Sequence, residues 1–359
     1  MNMHKHLYKR RWAVYSANKP YAKELPMKKI SILLLLFSVL ATPLSAAGAQ
    51  ESTTAGETVI GVSKFLAHPA LDAVEVGMQD YLNSVGKSVR FDFQNANADV
   101  SASAQIAQKF KTDKVDIAVG IATPTAQALV NVFTDIPVVF SAITDPLGAG
   151  LVTTYETPYS ENTTGVSDMN PVDAQIALLA RLTGAKTIGN VYASGEANGV
   201  TLMEQAKAAT ESLGLKFVTA AVSNTAEVMQ ATQSIVDRVD ALYIATDNTV
   251  ISALPSVDDV AAKAGVPLMA ADPSNVEGLD VLVAWGFDYY KIGLATGKII
   301  EQLLDGKKPG EIGTVFLTDP ADFELWFNLD AAENLGITIP EDLMESAAVV
   351  IQDGQKIVK

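Results

Sequence analysis

The chain of 359 residues contains no cysteine, which excludes disulfides, thiolate metal sites and cysteine nucleophiles. Beyond residue 49 it contains one histidine, His68, which leaves little material for a histidine-based zinc site or catalytic triad. No glycine-rich phosphate loop ends in Lys-Ser or Lys-Thr, and the Gly-Ala-Gly at 148–150 lacks the third glycine of a dinucleotide fingerprint. We therefore expect a protein that is not an enzyme and that needs no cofactor and no metal.

Basic residues are scarce, since 26 Lys and Arg stand against 41 Asp and Glu. Eight of the basic residues and one of the acidic residues fall within residues 1–49, so residues 50–359 carry a net charge of −22. Such a surface repels nucleic acid and anionic lipid. We therefore expect no nucleic-acid partner.

No hydrophobic run is long enough to span a bilayer, because the apolar run at residues 30–40 is about half the ~20 residues required. Lys28 and Lys29 precede this run, and small residues follow it up to Ala49. This pattern is typical of a signal peptide cleaved between Ala49 and Gln50. We expect a periplasmic protein with no lipid anchor and no stable membrane insertion, and we treat residues 1–49 as an N-terminal extension and signal peptide.

From residue 58 onward, short β-rich runs alternate with segments of helical periodicity. One series has strands near residues 59–62, 89–93, 115–119 and 136–140, and a second has strands near residues 187–192, 216–222 and 241–244. Repeated strand–helix units predict parallel sheets with right-handed crossovers. The fold class is therefore α/β, with two doubly wound parallel-sheet lobes.

The polar stretch at residues 161–164 separates the two series, and residues 312–316 and 326–329 have the pattern of a return crossing between lobes. We predict that lobe 1 comprises residues 57–165 and about 288–322. Lobe 2 then comprises residues 166–287 and about 323–359. This length favours two domains, since single hydrophobic cores stop growing near 250–300 residues.

Ligands of open parallel sheets bind beyond the carboxyl ends of the strands, so the residues after each predicted strand are the candidates for a binding site. These residues are mostly hydroxyls, carboxylates and aromatics: Phe65, His68, Thr123, Thr125, Ser141, Thr144, Asp145, Asp168, Tyr192, Asp247, Trp285 and Asp288. Each has a structural alternative. Ser, Thr and Asp before helices are common N-caps, His68 could be a cap, and isolated aromatics are often core residues.

Several motifs resemble a known family. They include His-Pro-Ala-Leu-Asp at 68–72, Ile-Ala-Thr-Pro-Thr-Ala-Gln at 121–127 and Thr-Asp-Pro-Leu-Gly-Ala-Gly-Leu-Val at 144–152. Others are Ser-Gly-Glu-Ala-Asn at 194–198 and Gly-Phe-Asp-Tyr-Tyr at 286–290. Together they resemble the bacterial ABC-transporter substrate-binding family of the tryptophan and phenylalanine type. The resemblance implies a type I periplasmic-binding fold, in which three hinge crossings join two lobes that close on an amino-acid ligand, aromatic ones being the best-known case.

An amino acid is a zwitterion, and the candidates divide between its two charges. We expect Thr123, Thr125 and Ser141, near helix starts in lobe 1, to receive the carboxylate. Asp247 is the preferred partner of the ammonium, with Asp168 and Asp288 as lesser candidates. We expect an apolar wall of Phe65, Tyr192 and Trp285, although the resemblance predicts a small or aliphatic residue at position 285.

The preferred function is therefore the extracytoplasmic solute-binding component of an ABC importer, a monomer that docks on permease and ATPase subunits. One alternative is a periplasmic ligand-sensing subunit that feeds a receptor kinase or chemoreceptor. A weaker alternative is a secreted hydrolase that uses paired carboxylates as acid and base. The signal peptide and the lack of a basic DNA-binding segment disfavour a transcription regulator.

Overall fold

The computed structural model describes residues 57–359 of the chain. The predicted signal peptide and its cleavage site lie outside these residues. No helix within residues 57–359 is long and apolar enough to cross a membrane. The described part is built around two β-sheets, each with its own helices, which we call lobe 1 and lobe 2.

Lobe 1 has a six-stranded sheet in the order β11-β5-β4-β3-β1-β2, and every neighbouring pair is parallel. Its strands are β1 (Thr58–Lys64), β2 (Val89–Asn95), β3 (Ile117–Ile121), β4 (Val138–Ile143), β5 (Thr163–Ser167) and β11 (Thr314–Phe316). Its helices are α1 (Pro69–Ser84), α2 (Val100–Asp113), α3 (Thr123–Val130), α9 (Tyr289–Leu304) and α10 (Pro309–Ile312). The buried strands β3 and β4 are continuous apolar or small-residue runs, as expected where helices cover both faces of a sheet.

Lobe 2 has an eight-stranded sheet in the order β14-β13-β12-β10-β9-β8-β6-β7. Its strands are β6 (Thr187–Ala193), β7 (Lys216–Val222), β8 (Ala241–Ile244), β9 (Leu268–Ala270), β10 (Val283–Phe287), β12 (Phe323–Asn328), β13 (Val349–Gln352) and β14 (Gln355–Val358). Its helices are α4 (Val172–Thr183), α5 (Ala197–Ser212), α6 (Val228–Val236), α7 (Asn248–Ser252), α8 (Leu254–Ala264), α11 (Leu329–Asn334) and α12 (Glu341–Ser346). Short 3₁₀ turns occur at Thr225–Glu227, Pro273–Asn275 and Pro320–Asp322.

The chain passes between the two sheets three times: from β5 to α4, from β10 to α9, and from β11 to β12. Two doubly wound lobes joined by three crossings are the predicted fold class, which is thereby confirmed. The sheet of lobe 2 differs in one respect, because it is mixed rather than wholly parallel. Strand β12 runs antiparallel to β10, and β14 runs antiparallel to β13 in a closing hairpin.

Helices α1 and α9 pack unusually closely in lobe 1. A Cβ atom added at Gly77 of α1 would lie 2.2 Å from the carbonyl oxygen of Tyr290, and one added at Gly293 of α9 would lie 2.4 Å from that of Val74. Because the neighbouring atoms are backbone, they cannot move aside as a flexible side chain could. Glycine at these positions is therefore required to seat α9, the helix that follows the second crossing, against lobe 1.

We predict that Gly77→Ala lowers the free energy of unfolding by about 1–3 kcal/mol, the usual cost of overpacking a close-packed interior. The higher helix propensity of alanine alone would raise the free energy of unfolding by up to about 1 kcal/mol. A decrease instead would therefore show that the added Cβ clashes with the backbone of α9. Urea denaturation measures it. The control is Gly195→Ala, where an added Cβ has no heavy atom within 4 Å. A Gly77→Ala variant as stable as the parent would contradict this packing.

Candidate functional site

A narrow cavity, partly open to solvent, lies between the lobes. Lobe 1 lines it with residues His68, Leu71, Ala142, Thr144, Asp168 and Tyr289. Lobe 2 lines it with residues Asn198, Thr246, Asp247, Asn248, Ile251 and Asp272. Many of these residues directly follow the carboxyl ends of β1, β4, β5, β8 or β9, or begin the next helix, so the parallel topology explains why they meet here.

The cavity is acidic. Asp168, Asp247 and Asp272 line it and are each almost fully buried, whereas no lysine or arginine is among the lining residues. Within residues 57–359 no group of three or more His, Asp or Glu side chains is arranged to hold a metal ion. The electrostatic character of the site therefore favours an organic cation or the ammonium end of a zwitterion.

Asp168 is held by hydroxyl groups of lobe 1. Its Oδ2 accepts a hydrogen bond from the Tyr289 hydroxyl at 2.9 Å, and its Oδ1 lies 3.5 Å from the hydroxyl of Thr144. Burial raises the pKa of Asp168 to about 6, and the hydrogen bond from Tyr289 opposes this increase. The two bonds fix the carboxyl group at the start of the first crossing between the lobes.

Asp247 is the N-cap of α7, and backbone groups occupy both of its oxygens. Oδ2 accepts from the N–H of Ala193 at 2.6 Å, and Oδ1 accepts from the N–H of Val250 at 3.0 Å. Burial and the nearby carboxylate of Glu196 raise the pKa of Asp247 to about 7. Asp247 thus joins the end of β6 to the start of α7, which is a structural role beside its place in the cavity wall.

Both carboxylate oxygens of Glu196, which lies beside Asp247, accept hydrogen bonds. Its Oε1 accepts from the N–H and hydroxyl of Thr249 at 3.0 and 2.6 Å, and its Oε2 accepts from the Asn248 side chain at 2.6 Å. These bonds hold the start of α7 against the start of α5.

Asp272 has a different environment. Its Oδ1 accepts from the N–H of Ser274 at 2.8 Å, whereas its Oδ2 has no hydrogen-bonding partner within residues 57–359. The side chain is only 1% exposed. Asp272 was not among the residues predicted from the sequence, because the three-residue strand β9 that precedes it is too short to recognise by periodicity. The Asp-Pro pair at 272–273, an N-cap followed by Pro, was the available signal.

His68 lies opposite, between β1 and α1, and is 8% exposed. Neither ring nitrogen has a hydrogen-bonding partner within residues 57–359. Burial lowers the pKa of His68, and the charges of Asp272 and Asp72 oppose this decrease. In lobe 2, Oδ1 of Asn198 and the hydroxyl of Thr246 are also buried and have no partner in the described part of the chain. The cavity therefore holds polar groups that residues 57–359 do not satisfy.

A second, smaller cavity adjoins the first and shares Asn198 with it. Its wall includes Thr123 at the start of α3 and Ala197 at the start of α5, so helix N-termini from both lobes reach it. The residue before Thr123, Ala122, has a φ of +76° and gives α3 no side-chain cap. Asp145 also lines this cavity, but its Oδ1 accepts from the N–H of Gly148 and the hydroxyl of Tyr155.

Three further polar candidates lie outside the walls of both cavities. The Thr125 hydroxyl donates within its own helix turn, to the carbonyl oxygens of Ile121 and Ala122 at 2.7 and 2.9 Å. The Ser141 hydroxyl is 2.6 Å from that of Thr296, inside lobe 1. Asp288 caps α9 and accepts from the N–H of Tyr290.

The three predicted wall aromatics also lie outside both cavity walls. Phe65 is in the hydrophobic core of lobe 1, and Trp285 packs against the core of lobe 2 from β10. Tyr192 is half-buried on β6. Of the Phe, Tyr and Trp residues within 57–359, only Tyr289 lines the larger cavity, and the remaining apolar surface of the cavity comes from Leu71, Ala142 and Ile251.

The family model for ABC transporter substrate binding proteins matches residues 59–351. A protein of Clostridioides difficile described as a tyrosine-binding protein is 35% identical over 265 residues, which cover 72% of this chain and 76% of that protein.

Two solved structures are similar over 82% of this chain, both with a TM-score of 0.78. One is a conserved domain protein of Vibrio cholerae, 40% identical and covered over 99% of its length. The other, described as an ABC domain in complex with L-Trp, comes from Streptococcus pneumoniae; it is 37% identical and covered over 100% of its length.

The raised pKa of Asp168 predicts a pH dependence of stability. Because the folded protein favours the neutral acid, this group stabilises the fold below the unfolded value of 3.8, and that contribution is lost as pH rises towards about 6. Over this interval the unfolding free energy of the parent should fall, relative to Asp168→Asn, by up to about 1.4 kcal/mol per pH unit.

Urea titrations at several pH values between 4 and 7 measure this difference. The exposed substitution Asp237→Asn serves as the control and should keep the pH profile of the parent. If Asp168→Asn and the parent had parallel profiles, the carboxyl group would not be destabilised by burial.

Proposed function

The chain belongs to the family of ABC transporter substrate-binding proteins, and we propose that it is the extracytoplasmic receptor of an importer that takes up an aromatic amino acid. Members of this family bind solutes and are not enzymes, so the acid–base hydrolase alternative is set aside. The observation that carries the proposal is the cavity between the lobes, whose lining residues within 57–359 include three buried Asp and no lysine or arginine.

The ligand's ammonium is assigned to the acidic cavity. Asp272 is the preferred partner, because one of its carboxylate oxygens has no partner within residues 57–359. Asp247, preferred from the sequence, already accepts two backbone hydrogen bonds, and Asp168 already accepts the Tyr289 hydroxyl. An ammonium beside Asp272 would form a charge-assisted hydrogen bond with the second oxygen of that side chain.

The ligand's carboxylate is assigned to the smaller cavity. The N-termini of α3 and α5 supply free backbone N–H groups and the positive ends of two helix dipoles there. Thr123 adds a hydroxyl. The α-carboxylate and α-ammonium of an amino acid would then bridge two adjoining cavities, and lobe 1 and lobe 2 would each hold part of the ligand.

The side-chain preference is inferred from the relatives, one of which is described as binding tyrosine and another of which was solved with L-Trp. In this chain Leu71, Ile251 and the ring of Tyr289 offer apolar surface beside the acidic groups. We accordingly assign an aromatic amino acid as the ligand.

The transport role follows from the family. A loaded, closed receptor would dock on a permease pair, and an ATPase would drive release and import. The signal peptide predicted in residues 1–49 supports a periplasmic location for the mature protein. The large negative charge keeps such a protein soluble and away from anionic lipid.

We predict that Asp272→Asn weakens binding of L-tryptophan and L-tyrosine at least 100-fold. Removing one partner of a buried charge pair costs about 3–5 kcal/mol, and each ~1.4 kcal/mol is tenfold in affinity. Isothermal titration calorimetry measures the dissociation constants. N-acetyltryptophan, which lacks the ammonium, should not bind the parent.

Asp237→Asn, an exposed change of the same chemistry, is the matched control and should bind as the parent does. Asp247→Asn should lower stability more than Asp272→Asn does, because its oxygens hold the N–H groups of Ala193 and Val250. Affinity in Asp272→Asn equal to that of the parent would show that the ammonium binds elsewhere.

A further inference from the structure

The ring of His68 is buried in the wall of the larger cavity, and neither nitrogen has a hydrogen-bonding partner within residues 57–359. Leaving buried polar groups unpaired costs roughly 1–3 kcal/mol, and proteins seldom retain such groups without a purpose. His68 is the residue before α1, but its side chain makes no capping hydrogen bond to that helix. The fold therefore gives no structural use for either nitrogen.

The state of the imidazole follows from its surroundings. Burial favours the neutral ring, and the opposing charges are those of Asp72 and Asp272. Lys64 pairs with Asp72 at 2.5 Å and also with Glu75 at 2.8 Å, which offsets the first of these charges. A ligand ammonium beside Asp272 would offset the second. The occupied site thus leaves His68 neutral, with one nitrogen that donates and one that accepts.

The α-carboxylate of the ligand is a poor partner for this ring. The proposed function places that carboxylate in the adjoining smaller cavity, whose walls do not include His68. The groups that match a neutral imidazole are uncharged and polar, such as a phenol hydroxyl or an indole N–H. A phenyl ring offers no such group and would leave both nitrogens of His68 unpaired.

We infer that His68 hydrogen-bonds an uncharged polar group on the side chain of the ligand and thereby selects tyrosine or tryptophan over phenylalanine. This inference rests on the proposed function and adds to it a specificity-determining residue. A site built to pair with a hydroxyl or N–H strongly rejects an analogue that lacks the group, because the protein's own polar atoms are then left unsatisfied.

The test is calorimetry with L-tyrosine, L-tryptophan and L-phenylalanine on the parent, His68→Leu and His68→Gln. In the parent, the tighter of tyrosine and tryptophan should bind at least about tenfold more tightly than phenylalanine. His68→Leu should reduce this ratio to within about threefold by weakening the polar ligand and not phenylalanine. His68→Gln, whose amide can donate and accept, should retain most of the ratio.

Each other outcome overturns the inference. If the parent bound phenylalanine as tightly as tyrosine and tryptophan, His68 would not recognise a polar group on the ligand side chain. This result needs no variant. Equal loss of all three ligands in His68→Leu, at an unchanged melting temperature, would assign His68 to the amino-acid backbone instead. If the parent bound none of the three, the proposed function itself would fail, which is distinct from a parent that binds them without discrimination.

Discussion

The burial of carboxylates between two lobes, in a cavity that no lysine or arginine of residues 57–359 lines, is the constraint on which the rest of the site depends. Asp168, Asp247 and Asp272 are held there because parallel strands bring their carboxyl ends to the facing edges of the two sheets. A buried carboxylate is costly unless it is paired or hydrogen-bonded. The three carboxyl groups differ in how many hydrogen bonds they accept from the protein. Asp168 and Asp247 accept bonds at both oxygens, whereas Asp272 accepts one at a single oxygen and can therefore pair with a ligand.

Asp168 and Asp247 are satisfied from within the protein, by hydroxyl groups in one case and by backbone N–H groups in the other. Asp272 and His68 line the same cavity, and one oxygen of Asp272 and both ring nitrogens of His68 have no hydrogen-bonding partner within residues 57–359. Under the proposed function, an amino acid would supply the missing partners: an ammonium for Asp272 and, in an aromatic ligand with a polar ring, a hydrogen-bonding group for His68. A ligand that contacts both lobes in this way would favour the closed state, so binding and closure would be linked.

Much of the fold could be predicted from the sequence, because the alternation of strand and helix periods is strong in both lobes. The strand-end rule also identified His68, Thr144, Asp168 and Asp247, all of which line the larger cavity. Asp272 was missed because a three-residue strand carries no periodicity, and Tyr289 because it projects from a helix start after a hinge crossing. Thr125 and Ser141 were predicted as ligand-binding residues only because they follow strand ends. The sequence does not show that their hydroxyls already form hydrogen bonds within lobe 1.

If an aromatic amino acid contacts both lobes, its binding should close them. Small-angle X-ray scattering of the mature protein, with and without saturating L-tryptophan or L-tyrosine, measures this closure. We expect a smaller radius of gyration with ligand, and no such decrease with the Asp272→Asn variant at the same ligand concentration. An unchanged radius of gyration in the parent, at a ligand concentration that calorimetry shows to be saturating, would contradict it.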